Sequence, residues 1–182
     1  MLRRLPVEEI ELELAAQIET IRSLGIEVSH VDGHHHIHVL PQIAPVVAKL
    51  CKRFTVPAVR VPYTNGHHLS LLNRLKWQLV NFYARGARRT FQDYRLQMPD
   101  HFMAWYGGGV DTLAELQRAL RSIGTGVTEI AVHPGFDDAV LARVDSYLSE
   151  RRVELSALCD AGVRNYIADQ GIALTNFQGL KG

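Results

Sequence analysis

Cysteine is nearly absent: the 182-residue chain holds two, Cys51 and Cys159. Both fall in segments patterned as amphipathic helices and neither has metal-site spacing, so buried thiols in a reducing compartment are the simplest account. Charge of one sign is missing too. Lys and Arg number 20 against 19 for Asp and Glu, and a net charge of +1 gives no reason to expect a nucleic-acid or membrane-surface partner. Long apolar runs are also lacking. The N-terminal Met-Leu-Arg-Arg-Leu-Pro leads into an acidic amphipathic segment that reads neither as a signal peptide nor as a membrane span, which predicts a cytoplasmic protein. Internal repeats and low-complexity tracts are absent. The glycine-rich run Trp105 to Asp111 lacks the spacing of a dinucleotide fingerprint, and no Lys-Ser or Lys-Thr follows. It reads instead as a turn ending near Asp111, an N-cap for the helix Thr112 to Ser122.

What is present is apolar content enough, at 47%, for one sizeable core, and a single domain over residues 1–182 is predicted. Pro6 to Ser23 repeats apolar residues at helical spacing, with Glu8, Glu9 and Glu11 near the end where the helix dipole favours them. A strand over Ile26 to Asp32 follows, then a helix from Gln42 to Phe54 and a short proline-bounded strand, Pro57 to Pro62. Thr64 to Asp93 is helix-like. After the helix ending at Ser122 come a strand leading to His133, helical pattern from Asp138 to Asp160 with a break near Ser149 to Arg152, a further helix to Asp169, and a last strand from Gly171 to Phe177. Alternating helices and strands predict an α/β protein with parallel strands, either an open sheet or part of a β/α barrel.

The densest chemistry lies between His30 and Pro41. Five of the nine histidines and Asp32 occupy nine positions there, delivered at a strand end, where α/β proteins keep their sites. Side-chain alternation puts His30 and Asp32 on one face. Gly33 would then allow a sharp change of direction, with His34, His35, His36 and His38 crowding the loop. Imidazoles beside a carboxylate suit a divalent metal. The plainer alternative is a loop of solvent-facing histidines, but five of them around an Asp-Gly turn favour a metal site.

Arg60, in the middle of an apolar strand, either faces outward from a sheet edge or points inward to hold a carboxylate or a substrate oxygen, and the inward reading is preferred. Arg85, Arg88, Arg89 and Arg95 read as a solvated helix face. The aromatics from Trp77 to Tyr106 suit core packing more than sugar stacking. In Thr128 to Asp138, alternation places Glu129 and His133 on one face, with His133 at the strand's exit before Pro-Gly. Glu129 is the candidate partner of Arg60. A lone histidine in that setting is more often structural, but beside a first histidine cluster it becomes a site residue that a parallel sheet could bring near the His34 loop.

The paired motifs His-Val-Asp-Gly-His-His-His-Ile-His-Val-Leu-Pro-Gln and Thr-Glu-Ile-Ala-Val-His-Pro-Gly-Phe resemble the YdjC-like family of carbohydrate deacetylases. The likeness extends to the Val-Arg-Val-Pro strand and the Arg-x-x-Glu-Leu run from Arg151 to Leu155. The resemblance implies a TIM-like barrel and a divalent ion, magnesium or zinc, used to remove the N-acetyl group of an acetylated amino sugar. It places His34 as a metal ligand and His133 in the catalytic pocket, acting on the leaving amine, and matches Asp32, His36, His38, Arg60 and Glu129 to other pocket positions; His36 and His38 are counted with the metal ligands. A homodimer stays open. Family members begin with a strand ending in Asp-Asp, and a later strand adds a metal-binding histidine. This sequence shows neither, so an incomplete barrel, corresponding to the C-terminal portion of the family fold, is expected. The alternatives kept are an inactive remnant or binding subunit on the same scaffold, and another metal-dependent barrel hydrolase.

Overall fold

The computed structural model describes residues 6–63, 71–105 and 112–180, without the side chains of 71–74 and 76. The glycine-rich turn over 106–111 and its Asp111 cap lie outside the described residues. The chain divides into two compact units, Met1–Phe102 with Thr175–Gly182, and Met103–Leu174.

In the first unit, helix α1 (Val7–Ser23) turns Ala15 and Ile18 into the core and leaves Leu12 exposed. Glu8 and Glu9 stand in its first turn, where the exposed N–H groups favour negative charge. Strand β1 (His30–Val31) pairs in parallel with β2 (Ala58–Val59), in the register His30 to Ala58 and Val31 to Val59. The ladder continues through Arg60 N–H, which donates to Val31 O at 3.0 Å. On the far side of β2, Val59 N–H donates to Gln97 O and Gln97 N–H to Pro57 O, both at 2.9 Å, so a parallel bridge extends the pairing. Helix α2 (Ala44–Arg53) begins with Pro45 in its first turn, where a missing N–H costs nothing. It buries Val46, Val47, Leu50 and Cys51 in a core cluster shared with Val59 of β2 and Phe91 of α3 (Leu71–Asp93).

The second unit carries the end of β3 (His101–Ala104), α4 (Thr112–Arg121), β4 (Thr128–Ala131), α5 (Ser149–Leu158) and α6 (Ala161–Asp169). β3 and β4 make a second two-stranded sheet. Trp105, Leu116, Leu120, Ala157 and Val163 form its core. Asp160 caps α6, its carboxylate accepting from Val163 N–H at 3.1 Å. Among the described residues, no helix is long and apolar enough to cross a membrane.

Several predicted elements differ. The strand over 26–32 forms ladder only at His30 and Val31, and β3 was not predicted. The predicted strand over 171–177 is not one. Gly171 leaves α6 at φ +62°, Leu174 is 80% exposed, and the Asn176 side chain accepts from Gln178 and Gly179 N–H to start a 3-10 turn, Phe177–Gly179. Over 138–160 only a 3-10 turn, Leu141–Arg143, and then α5 are helical; Val140 and Val144, which recur at helical spacing in the sequence, are 71% and 83% exposed. Burial holds for one cysteine: Cys51 is buried and its thiol is pushed up to about 12 by burial, whereas Cys159 is exposed.

Candidate functional site

The first constellation lies in the first unit, where β1 ends. Asp32 follows the strand, and its carboxylate accepts from Gly33 N–H at 2.8 Å while forming an ion pair with the Arg60 guanidinium. Arg60 stands just beyond β2, so the parallel register itself sets the two side chains side by side. The arginine also lies over the Phe102 ring, 5.7 Å from its centroid.

Gly33 does not serve the purpose its position suggests. Its backbone is extended, at φ −121° and ψ 133°, a conformation open to any residue. What requires glycine is close approach, since a Cβ there would meet His38 Nδ1 at 2.7 Å. The turn falls two residues later, where His35 and His36 adopt left-handed backbone at φ 51° and 60° inside the 3-10 segment His34–Val39. Histidine is among the residues that tolerate this region.

His38 is buried, and its Nε2–H donates to Arg60 O at 2.9 Å. That bond fixes the tautomer, leaving the Nδ1 lone pair 4.0 Å from Asp32 Oδ1. Burial pushes His38 below the usual imidazole range, against the Arg60 carbonyl and the Asp32 charge, which favour the proton. His36 is half-buried between Trp77 and Phe102, with ring centroids 5.5 and 5.8 Å away. Burial lowers its pKa to about 4. His34 and His35 are exposed and meet edge to face, and His30 stacks flat on Phe177 at 3.7 Å. Burial, with the Arg60 charge, lowers the pKa of His30, and Asp32 opposes the shift.

The second unit holds the other predicted residues. Glu129 lies on β4, and His133 stands two residues past that strand's end. The backbone N–H of His133 donates to Glu154 Oε2 at 2.5 Å, and its ring meets Tyr147 edge to face at 5.7 Å. In the sequence, Glu154 stands out only as the acidic residue of the Arg-x-x-Glu-Leu run and is given no role there, and Tyr147 is not singled out. That run is the signal the sequence offers for Glu154, which is buried on α5 together with Ala157, where a carboxylate needs partners.

A catalytic divalent ion takes about three protein ligands and an open position. Among the described residues, no three His, Cys, Asp or Glu side chains come close enough together to hold one. The buried Nδ1 atoms of His36 and His38 have no hydrogen-bond partner, and with Asp32 they are donors of suitable chemistry. Donor chemistry alone does not make a site, and the described residues do not bring together a complete divalent one.

These features define a parallel α/β protein with histidine-bearing segments just past its strands. Residues 1–169 match the model of the YdjC-like protein family, and the chain belongs to that family. It is 33% identical over 175 residues to a carbohydrate deacetylase of Brevibacillus brevis, covering 95% of this chain and 62% of the relative. It is 30% identical over 181 residues to a chitooligosaccharide deacetylase of Proteus mirabilis, covering 97% and 63%. A crystal structure from Enterococcus faecalis V583, described as a candidate cellobiose-phosphate cleavage protein, superposes with a TM-score of 0.70 at 25% identity, over 94% of this chain and 60% of that one. The chain thus spans about six-tenths of the length of the relatives it matches.

Proposed function

We propose that this chain forms part of a carbohydrate deacetylase, which hydrolyses the N-acetyl group of an acetylated amino sugar or oligosaccharide on a TIM-like barrel. The observation carrying this reading is the Asp32–Arg60–His38 network at a strand exit, in a chain whose relatives are named as carbohydrate and chitooligosaccharide deacetylases. In the reaction, water adds to the acetyl carbonyl carbon, the C–N bond breaks, acetate leaves, and the amine takes a proton. His133 is assigned the protonation and orientation of that leaving amine. The Asp32–Arg60 pair and, separately, Glu129 are each assigned the holding of polar groups of the substrate. A divalent ion, magnesium or zinc, would draw His34, and with it His36 or His38, from this chain and at least one ligand from outside the described residues. Cytoplasmic location belongs to the same reading.

The test is acetate release from an N-acetylated chitooligosaccharide by the longest natural polypeptide that carries this sequence. His133→Ala should lower kcat by about 10²–10⁴-fold, and His34→Ala should abolish metal-dependent turnover. Unchanged release in both variants would refute the assignment. The lack of three converging ligands among the described residues favours one second reading, a scaffold that binds acetylated sugar without turning it over. Saturable sugar binding with no acetate released would select it.

A further inference from the structure

Glu154 has no exposed surface, and burying a carboxylate is strongly unfavourable unless it is hydrogen-bonded. An α5 that needed only to pack would carry an apolar residue there, as it does at Ala157. Two bonds show what the carboxylate is kept for. One oxygen accepts from the backbone N–H of His133 at 2.5 Å, and the other from the hydroxyl of Tyr147, whose ring edge meets the His133 imidazole. Tyr147 is itself held from below: Arg151 Nε donates to its carbonyl at 2.8 Å, the Arg151 guanidinium lies 5.7 Å from its ring centroid, and the same guanidinium binds Asp145 at 2.5 Å.

The segment after His133 is tied to the same helix. Gly135 N–H donates to Arg151 O at 3.2 Å, and Asp137 pairs with Arg152, whose Nε lies 2.7 Å away. The Arg151 carbonyl, the Arg152 guanidinium and the Glu154 carboxylate therefore fix residues 133–137 at three points.

We propose that Glu154 is the positioning residue for His133: its buried carboxylate fixes the histidine's backbone directly and its ring through Tyr147. The proposal rests on the reading of His133 as the residue that serves the leaving amine. A group acting on a leaving atom must be placed to within about 1 Å, and a displacement of that size costs on the order of 100-fold in rate. Neither bond to Glu154 uses the imidazole.

The test combines a structural and a catalytic readout on Glu154→Ala, Glu154→Gln and Tyr147→Phe. In NMR spectra of the isotopically labelled chain, the His133 amide proton, held downfield by a carboxylate acceptor, should move upfield in E154A, with a matching change in its ring signals. E154Q has one carbonyl oxygen for two donors, and Y147F removes one donor alone, so each should give a smaller displacement of the same signals. In the catalytic assay kcat should fall about 100-fold in E154A with KM unchanged, and E154Q should restore part of it. Should E154A fail to fold, E154Q and Y147F decide the matter by the same signals. His133 signals that match the parent in folded variants would overturn the proposal. Displaced His133 signals with no acetate released by any version, parent included, would uphold the positioning and defeat the deacetylase reading instead.

Discussion

Replacing Gly33 by alanine isolates the approach of His38 to the β1 exit. The backbone at Gly33 is extended, so alanine brings no conformational penalty there. The new methyl would meet His38 Nδ1 at 2.7 Å, Cβ at 3.0 Å and Cγ at 3.1 Å. His38 cannot move aside cheaply, because it is 2% exposed and anchored to Arg60 O at 2.9 Å. Relief means giving up that bond, at about 1–3 kcal/mol for a buried polar group left unsatisfied, or crowding the core, at about 1–3 kcal/mol. A destabilisation of about 2–3 kcal/mol lowers the melting temperature of a chain of this size by roughly 4–12 °C. Thermal unfolding followed by circular dichroism reads it. His38→Ala removes the ring but leaves Cβ, so the G33A penalty should shrink in that background, with a coupling of about 0.5–3 kcal/mol. A G33A protein as stable as its parent, or strictly additive effects, would refute the close-approach account.

His30, His36 and His38 are all held below the ordinary imidazole value, chiefly by burial. A base with a lowered folded pKa contributes stability that is full above about 6.5 and is lost as pH falls, for His36 toward about 4. Melting temperatures of metal-free protein should therefore drop between those values, and His36→Asn, tolerable at its left-handed backbone, should flatten the decline. Alkylation of the native chain should label Cys159 alone, because Cys51 is buried with its thiol at about 12; mass spectrometry showing rapid double labelling would contradict this. For Asp32→Asn and Arg60→Met, a double-mutant cycle in urea should give a coupling of about 1–3 kcal/mol, and a value near zero would mean that solvent screens the pair.

The helices of the first unit were legible because their apolar spacing is unbroken: α1 and α2 end within two residues of the expected positions. The strands were legible in place but not in extent, since a hydrogen-bonded ladder depends on the neighbour, and β1 meets β2 over two residues only. Gly171 to Phe177 alternates as a strand would, yet Asn176 spends its side chain on the following turn, a local bond that competes with any ladder. At the site, Asp32 and the histidines could be read because their chemistry is crowded into a few positions. The reason for Gly33 could not, because it depends on the position of His38, five residues away and set by a bond to the carbonyl of Arg60.

The two histidine-bearing segments share a device that pattern alone does not reveal. Past β1, the Asp32 carboxylate holds the next backbone N–H, of Gly33; past β4, the Glu154 carboxylate holds the backbone N–H of His133. In each case the main chain just beyond a short strand is fixed by a charged acceptor, stronger than a neutral one and independent of the imidazoles. A loop placed by its backbone can present side chains without enlisting them to hold it. It follows that removing a carboxylate should disturb several residues at once, whereas trimming the imidazole of His34 or His133 should leave the fold close to intact. Amide exchange separates the two cases: faster exchange over 33–39 in D32A and over 133–137 in E154A, with parental rates in H34A and H133A. Equal acceleration in the histidine variants would mean that the rings, not the carboxylates, hold these segments.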